Sequence, residues 1–454
     1  MKIKKLLSAI CAVSLFLGLL SPAVYAAGAG ADYTLVSPYA NVDWNKVKAY
    51  KTGLHTHSSV SDGSESFRNM IYGAYEQNYD ILSFSEHGIT GKAWDKDPYI
   101  RPLYLYQTVT GHDRKPLTSD EFVAISNGTA AVSSTGASRG RGMYCLEGSN
   151  ELNAVTITKA HVNGYFLPAD VGNMDWGMEN GYDYALSMIE KNGGISHINH
   201  PGDILGTREN PNAVNDRKNI EFFSDFLLRY KSCVGVEAVN GFQSLTRHDR
   251  VFWDNLLLEC LPYGKNVYGF AGSDAHDIGR LNTCFMYFML EEVSDSSIRS
   301  CMENGEFFGA THSLAKDDLI GPFEDFSAPE GVDQPLAKVN ELSVLGHTIK
   351  LDVSNAEYVN WISNGKIIAK SDINGNGTAT LSVDDYYTDE MLYIRCEIYN
   401  ENGMVFSQAI TLDRGEAPKE YSNEKTQLEQ LVFALKSTKV FVLIQKLIEA
   451  VKNQ

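Results

Sequence analysis

Leu54-His55-Thr56-His57 ends the first strand-like run of this chain, and Ser61-Asp62-Gly63 follows it. Side chains two positions apart in a strand point to the same face, so His55 and His57 are expected to project two metal-binding groups toward one point. Further along, Ser273-Asp274-Ala275-His276 repeats this arrangement with one carboxylate and one imidazole. These motifs predict that two strands far apart in sequence present ligands to a shared site.

Two further motifs lie between them, each directly after an apolar run. Ser85-Glu86-His87 follows the run 79–84, and Asn199-His200-Pro201-Gly202 follows the run 194–198. Imidazoles and carboxylates at the ends of successive strands are typical of the metal centres of hydrolases. The sequence therefore predicts a metal site built from several strand ends.

The surrounding pattern predicts an α/β fold, because strand-like runs alternate with segments of helical periodicity. In the first predicted helix, five apolar side chains fall on one face: Phe67, Met70, Ile71, Ala74 and Tyr75. The predicted helices are 66–78, 182–191, 220–231, 250–259 and 294–304. The predicted strands after them include 81–85, 194–199, 234–240 and 267–271. Repeated βα units favour a parallel sheet.

The pattern changes in residues 319–415, where short alternating runs are separated by turns such as Asn364-Gly365, Asn374-Gly375 and Asn402-Gly403. Asn-Gly is a strong hairpin indicator, so we expect a small antiparallel β-sandwich-like domain here. Residues 416–454 are expected to form a polar linker and an amphipathic C-terminal helix. Such a helix would pack on its own domain or on a second copy of the chain, giving a homo-oligomer.

The order of these motifs resembles the PHP (polymerase and histidinol phosphatase) family of metal-dependent phosphoesterases over about residues 48–315. The resemblance implies a distorted seven-stranded (β/α) barrel, TIM-like, over residues 45–318, with its site at the carboxyl ends of the strands. Residues 88–142 would be an insertion acting as a lid or specificity loop. Glu86 departs from the aspartate of many members, but it keeps a carboxylate.

The resemblance also implies a ligand set and catalytic roles. A metal-bridging glutamate is required, for which Glu151 is preferred and Glu147 is the alternative. The implied metal ligands are His55, His57, Asp62, His87, Glu151, His161, His200, Asp274 and His276. Asp62 or a ligand histidine such as His276 would protonate the leaving oxygen, and Arg280 would grip a phosphate. An imidazole-rich set favours two or three ions of zinc, manganese or iron.

The N-terminal segment and the net charge of the chain indicate where the protein acts and which partners it binds. Residues 1–26 have a basic head, an apolar stretch and a small-x-small end, which predicts a signal peptide cleaved after Ala26 and a secreted protein. The alternative is a membrane anchor, but the stretch is shorter than the roughly 20 residues needed to span a bilayer. No transmembrane span is expected after cleavage. A formal net charge of −18 argues against nucleic-acid binding.

Three functions are compatible with these features. The first is a secreted hydrolase that cleaves a phosphomonoester or a small phosphodiester with metal-activated hydroxide. The second keeps the site but cleaves a carbamate or carboxyl ester, and the third is a noncatalytic extracellular binding protein. Two or more arginines at the metals would favour phosphate, and an aromatic pocket without arginine would favour a carbonyl substrate. Besides Arg280, the candidate arginines are Arg139, Arg141 and Arg208.

Overall fold

The computed structural model describes residues 26–27, 33–98, 113–153, 160–169, 171, 181–241, 246–312 and 335–422. The predicted signal peptide before Ala26, residues 99–112 of the predicted insertion and the predicted C-terminal helix after Ser422 lie outside these ranges. Within them, every helix is too short or too polar to span a bilayer.

The described residues form a mixed α/β structure of strands and seven α-helices. The helices are Phe67–Glu76 (α1), Ser119–Asn127 (α2), Gly181–Lys191 (α3), Pro201–Leu205 (α4), Arg217–Arg229 (α5), Asp249–Cys260 (α6) and Asp295–Asn304 (α7). The strands up to the third quarter of the chain are Ala26–Ala27 (β1), Thr34–Val36 (β2), Lys48–Gly53 (β3), Ile81–Leu82 (β4), Tyr144–Cys145 (β5), Asn150–Asn153 (β6), His161–Tyr165 (β7), Ile195–Ile198 (β8), Cys233–Asn240 (β9), Tyr268–Gly272 (β10), Cys284–Leu290 (β11) and Phe307–Thr311 (β12). The remaining strands are Lys338–Leu345 (β13), Thr348–Ser363 (β14), Lys366–Ser382 (β15), Tyr393–Asn400 (β16), Gly403–Phe406 (β17) and Ile410–Asp413 (β18).

The helices of the α/β part follow the predicted apolar pattern. The five side chains expected on one face of α1 are all buried, so that prediction is confirmed. Ser66 caps this helix by accepting a hydrogen bond from the backbone N–H of Asn69. Ser294 caps α7 in the same way, and Gly305 ends it with a φ of 73°, a conformation that glycine adopts without strain.

The strands that carry the site belong to two sheets joined by isolated bridges. The order β3-β4-β5 is parallel, and a second sheet has the order β10-β9-β8-β7-β6. Thr56 bridges to Ala275, and His87 bridges to Glu151, in both cases in parallel. These two bridges bring the ends of β3 and β10, and of β4 and β6, side by side.

The sheet is parallel only in part, which corrects the expectation of a parallel sheet. The pairs β8–β9 and β9–β10 are parallel, but β7 runs antiparallel to both β6 and β8. Only residues 154–160 connect β6 to β7. A parallel crossover needs a dozen or more residues, so this short connection imposes an antiparallel pair.

The C-terminal strands are antiparallel, as predicted, but their bounds differ from those of the predicted alternating runs. Two of those runs, 348–353 and 358–363, form the single strand β14, which the turn Asn364-Gly365 joins to β15. Both turn residues have positive φ, 47° and 71°, as the preferred two-residue hairpin requires. Asn374-Gly375 was wrongly expected to be a turn. It lies inside β15 near a register shift against β14, so its positive φ values serve an irregularity in the strand.

The C-terminal strands are hydrogen-bonded to the α/β part. Strand β12 pairs with β11 on one side and with β17 on the other, and β16 pairs with β14, β17 and β18. One sheet of thirteen strands therefore runs from the C-terminal strands into the α/β part. The boundary predicted at 318–319 lies outside the described residues.

A buried ionic network links helix α6 to strand β16. Arg395 donates to both carboxylate oxygens of Asp254, at 2.8 and 2.7 Å, and to Glu397 at 2.7 Å. Arg250 donates to the other oxygen of Glu397 at 3.0 Å, and all four side chains are at most 2% exposed. Two buried guanidiniums thus face two buried carboxylates, so removing one partner leaves the charges of the network unequal in a buried place.

We expect Asp254→Asn to lower the free energy of unfolding by about 3–5 kcal/mol, because it leaves the buried guanidiniums of Arg395 and Arg250 with the single carboxylate of Glu397. Arg217→Met is the control, since the Arg217–Glu259 pair lies at the surface and should contribute at most about 1 kcal/mol. Urea unfolding followed by circular dichroism measures both. Equal losses in the two variants would contradict a special role for the buried network.

Glu306, just after α7, gives the fold a pH dependence of its own. Burial raises the pKa of this carboxyl from 4.5 to about 7. Between these pH values the unfolded chain holds fewer protons than the folded one, so stability falls as pH rises through this window. Glu306→Gln should remove this loss of stability. The melting temperature of the variant minus that of the parent should therefore increase from pH 5 to pH 8. Glu292→Gln, at an exposed position nearby, should not show it.

Candidate metal centre

Each predicted ligand lies at or just beyond the end of a strand. His55 and His57 follow β3, and the backbone N–H of His57 donates to the carbonyl of Ala275 at 2.8 Å. His87 follows β4, and the His87–Glu151 bridge fixes it beside β6. His161 begins β7, His200 follows β8, and Asp274 and His276 follow β10. The backbone therefore brings all nine predicted metal ligands to one end of the sheets.

Glu151 lies at the centre of the group and is fully buried. Its Oε2 atom is 3.0 Å from Nδ1 of His87, 3.2 Å from Nε2 of His57 and 3.5 Å from Nε2 of His55. Its Oε1 atom is 2.9 Å from Nδ1 of His161 and 3.4 Å from Nε2 of His200. One carboxylate thus faces five imidazoles, three through one oxygen and two through the other.

Glu147, the alternative bridging residue, is exposed. Of the two glutamates left open by the sequence, only Glu151 reaches the cluster.

Asp274 closes the cluster on the opposite side. Its Oδ1 atom is 3.3 Å from Nε2 of His55 and 3.2 Å from Nε2 of His57, while its Oδ2 atom is 3.9 Å from Nε2 of His200. Asp274 has a φ of 49° and His200 a φ of 24°. Non-glycine residues rarely adopt such values, and each costs of order 1–3 kcal/mol. The two ligands therefore keep conformations that their neighbours must impose.

Asp62 forms the outer edge of the site, with 38% of its side chain exposed. Its Oδ2 atom is 3.2 Å from Nε2 of His87, and its Oδ1 atom is 3.3 Å from Nε2 of His276. His57 also approaches Asp62, with its Nδ1 atom at 3.7 Å. Asp62 and three imidazoles thus form a second ligand group beside the one around Glu151.

Glu86 holds the loop that carries Asp62. Its buried carboxylate accepts hydrogen bonds from the backbone N–H and the hydroxyl of both Ser58 and Ser61. The loop is tight, since a Cβ atom on Gly63 would lie 2.7 Å from the backbone of Ser58. Only glycine fits there without a shift of the loop. Glu86 therefore positions Asp62 and does not belong to the ligand groups.

Glu237, in the middle of β9, supports the site from beneath. Its Oε1 atom is 2.7 Å from Nδ1 of His55, and its Oε2 atom accepts from the backbone N–H of His200 at 2.9 Å. A carboxylate can only accept, so Nδ1 of His55 carries the proton and Nε2, which faces Glu151 and Asp274, is left as the atom that can bind a metal. This contact fixes the tautomer that a metal ligand needs.

Asn199 orients the central carboxylate. Its side-chain amide donates to Oε1 of Glu151 at 2.8 Å and to Oδ1 of Asn163 at 2.9 Å, and all three residues are buried. Its own oxygen accepts from the backbone N–H of Asn163 at 3.1 Å.

The charges of the site are strongly coupled. Burial lowers the pKa of His57, but the carboxylates of Asp274 and Glu151 outweigh it and raise that pKa to about 9. Burial dominates at His161 despite Glu151 and lowers its pKa to about 4. The pKa of Glu151 lies well below its usual range, because the surrounding imidazoles outweigh its burial. A buried carboxylate is thus kept ionised by positive charge around it.

The same atoms fit divalent metal ions. Several buried nitrogen and oxygen atoms that can bind a metal form no hydrogen bond with any described residue: Nε2 of His55, both ring nitrogens of His57, Oε2 of Glu151, Nδ1 of His161 and Nδ1 of His200. Four groups of side chains bring their ligand atoms within 4.8 Å of one another: His57 with Asp62, His87 and His276; His55 with His200 and Asp274; His55 with His57 and Glu151; and His87 with Glu151 and His161. Lone pairs that converge on one point without a hydrogen-bond donor between them are an arrangement that a bound cation stabilises.

The arginines proposed to bind phosphate lie elsewhere. Arg139 and Arg141 both contact Asp80, at 3.1 and 2.7 Å, and so hold the segment after α2 against the start of β4. Arg280 lies 3.6 Å from Asp277 and does not line the cavity at the metal ligands. Its predicted catalytic role has no support in these contacts. Arg208 is exposed and does not line that cavity either.

Four residues of the site carried no recognisable motif. Glu237 and Asn199 support the ligands, and Asp203 and Thr246 line the cavity beside them. A carboxylate inside the apolar run 233–239 was the available indication for Glu237, since an unpaired charge is rarely buried in a strand. Asp203 follows the His200-Pro201 motif by three residues, but nothing in the sequence shows which way it points.

Comparisons with known proteins give distant likenesses. No protein-family model and no curated protein matches the chain. It is similar to the crystal structure of a two-domain protein from Bacteroides vulgatus containing a predicted PHP-like metal-dependent phosphoesterase, with 15% identity, a TM-score of 0.39 and coverage of 81% of this chain and 96% of that chain. A second similar structure is a putative metal-dependent phosphoesterase from Bifidobacterium adolescentis, with 13% identity, a TM-score of 0.30 and coverage of 57% and 98%. At these TM-scores the likeness supports neither a fold nor a function, so both must be argued from the residues of this chain.

Glu237→Gln should weaken metal binding about 10–100-fold, because an amide can donate to His55 Nδ1 and so no longer fixes the tautomer. Competition with a chelator, read as metal content per chain, measures this. Glu306→Gln is the matched control, as it neutralises a half-buried glutamate outside the site. Unchanged affinity in Glu237→Gln would show that His55 is oriented by its other contacts.

Proposed function

We propose that this protein is a metal-dependent hydrolase that cleaves a phosphomonoester or a small phosphodiester. The observation that carries the proposal is the convergence of six imidazoles and three carboxylates in one cluster, with buried lone pairs that no described residue satisfies. Divalent ions bound there would lower the pKa of water and offset the charge of a phosphoryl group. The predicted signal peptide would place this activity outside the cell.

The ligand groups support two or three ions. Glu151 takes part in two of the four groups and offers different oxygens to different histidines, as a bridging carboxylate does. Asp62, His87 and His276 would hold an ion at the exposed edge. Mixed nitrogen and oxygen donors favour zinc, manganese or iron over calcium or magnesium.

The proposed scaffold is the distorted seven-stranded barrel. The bridges at Thr56 and His87 would join β3-β4-β5 to the second sheet at both ends, with β5 and β6 sharing one position in the ring. The strands β13 to β18 would then form the β-sandwich-like domain, packed on the barrel through β12 and β17. In such barrels the carboxyl ends of the strands carry the chemistry, and the ligands after β3, β4, β8 and β10 follow such ends here.

The residues at the exposed edge differ in what they can do with a proton. Hydrogen bonds from His276 and His87 outweigh burial and keep the pKa of Asp62 well below its usual range. Asp62 is therefore ionised and suited to hold an ion rather than to donate a proton. His276 donates from Nδ1 to the backbone carbonyl of Asp274 at 2.8 Å and turns its other nitrogen toward Asp62. His276 would protonate the leaving oxygen only from Nε2, in place of holding an ion there.

A second candidate, a carboxyl-ester or carbamate hydrolase, is favoured by one observation. Among the described residues, those lining the cavity are Asp62, His87, Glu151, His161, His200, Asp203, Thr246, Asp274 and His276. They include no arginine or lysine, so the described walls offer no cation to a phosphate apart from the ions. The phosphoesterase hypothesis is still preferred, because bound metal ions can themselves supply the positive charge that a phosphate needs.

We expect His57→Ala and Asp274→Ala to lower turnover of phosphate esters at least about a hundredfold and to lose bound metal, because His57 belongs to two of the ligand groups and Asp274 supplies the carboxylate of a third. The test uses the manganese- or zinc-loaded chain with a panel of phosphate and carboxyl esters. His347→Ala is the control: His347 is also buried but bonds Asp384 and Tyr33 in the C-terminal part. Turnover of carboxyl esters alone would favour the second candidate, and no turnover of either class would leave a binding protein.

A further inference from the structure

The loop of residues 58–65 carries Asp62 to the other metal ligands. Asp62 lies farther from the end of its strand than any other predicted ligand, so the loop fixes its position and a strand does not. The loop also contacts His276, whose backbone carbonyl accepts from the backbone N–H of Ser64 at 2.8 Å. A displacement of the loop would therefore change the distances from Asp62 to His87 and His276, with which it forms a ligand group.

Two residues of the predicted insertion, Asp113 and Arg114, bind this loop at Ser59. The hydroxyl of Ser59 donates to the backbone carbonyl of Asp113 at 2.7 Å, and the Nε atom of Arg114 donates to the carbonyl of Ser59. No other described residue donates to that carbonyl. Ser59 and Arg114 are both buried. A buried carbonyl that loses its donor is destabilising, so loss of this contact would favour movement of the loop toward water.

The segment of residues 113–118, which carries the guanidinium, is itself anchored. The backbone carbonyl of Pro116 accepts from Arg68, on helix α1, at 2.9 Å. The backbone N–H of Leu117 donates to the carbonyl of Trp94 at 2.8 Å. The guanidinium therefore projects from a fixed segment, and its hydrogen bond restrains the loop.

The loop is held by two buried charges of opposite sign. Glu86 accepts from the N–H and hydroxyl groups of Ser58 and Ser61, whereas Arg114 donates to the carbonyl of Ser59. Burial lowers the pKa of Arg114, and the negative charge of Glu86 partly offsets this effect. The anion holds the donors of the loop, so the carbonyl between them depends on the cation.

We propose that Arg114 is a positioning residue for the outermost metal ion, which Asp62 would share with His87 and His276. Arg114 does not line the cavity at the metal ligands, so it acts through Ser59 and the loop. The inference rests on the metal-dependent function proposed above and adds a residue that determines how tightly one of its ions is held. It also gives the predicted insertion a role in metal binding.

The test measures zinc content per chain while the zinc-loaded full chain is titrated with a chelator. Arg114→Met should weaken the binding of one zinc ion about tenfold, the lower end of the effect expected for a residue that supports a ligand, and leave the other ions unchanged. Arg139→Met is the matched control and should change no affinity. Arg139 lies in the same predicted insertion and is equally buried, but it donates to Asp80 and to the carbonyl of Tyr75.

Asp62→Asn identifies the ion concerned, because it weakens the outer ligand group directly. Two changes that act on the same ion are not additive. Adding Arg114→Met to Asp62→Asn should therefore cause little further loss of zinc. A loss from Arg114→Met that is as large with Asp62→Asn as without it would overturn the inference, because that result indicates a general structural role.

Ser59→Ala provides a second variant in case Arg114→Met fails to fold. It removes the hydroxyl bond to Asp113 and should weaken the same ion by a smaller factor. Unchanged zinc affinity in either variant that folds would overturn the inference and leave the metal centre standing. A parent chain that binds no zinc, manganese or iron would overturn the proposed metal-dependent function itself.

Discussion

The structure of the site depends on one buried carboxylate that is kept ionised. Glu151 has no exposed surface, yet it faces five imidazoles at 2.9 to 3.5 Å and accepts a hydrogen bond from Asn199. An isolated carboxylate in such a place would be strongly destabilising. The surrounding positive charge, from protonated imidazoles or from bound cations, is therefore a condition for the packing of these strand ends as well as for their chemistry.

The backbone around this carboxylate is arranged to hold ligands rather than to pair strands. Beyond β3 and β4 regular pairing stops before the ligands, and single bridges at Thr56 and His87 take over. His200 and Asp274 adopt positive φ values that their residue types disfavour. Glu237 anchors both sides of this region by bonding the ring of His55 and the backbone of His200. Local strain is thus balanced by contacts from a neighbouring strand, as is common at functional sites.

The sequence predicted most of the ligand set because each ligand sits beside an apolar run, and runs of this kind become strands whose ends meet. It favoured Glu151 over Glu147 but left both open, because burial decides between them. It missed Glu237 because its partners, His55 and His200, are distant along the chain, so no local motif marks a single acid within a strand. It misjudged Arg139 and Arg141, since their contact with Asp80 depends on tertiary packing. Asn374-Gly375 was misread because the same dipeptide suits a hairpin turn and an irregular strand.

The hydrogen-bonded continuity from β12 into β17, together with the Arg395 network, has a consequence for how this architecture can vary. A domain attached only by a linker can be gained or lost without exposing a sheet edge or buried charges of the other domain. Here, loss of the C-terminal strands would uncover an unpaired sheet edge and remove Glu397 and Arg395, the ionic partners of Arg250 and Asp254. Inheritance of the two parts should therefore be linked, and recombination between relatives should succeed only when both halves are exchanged together.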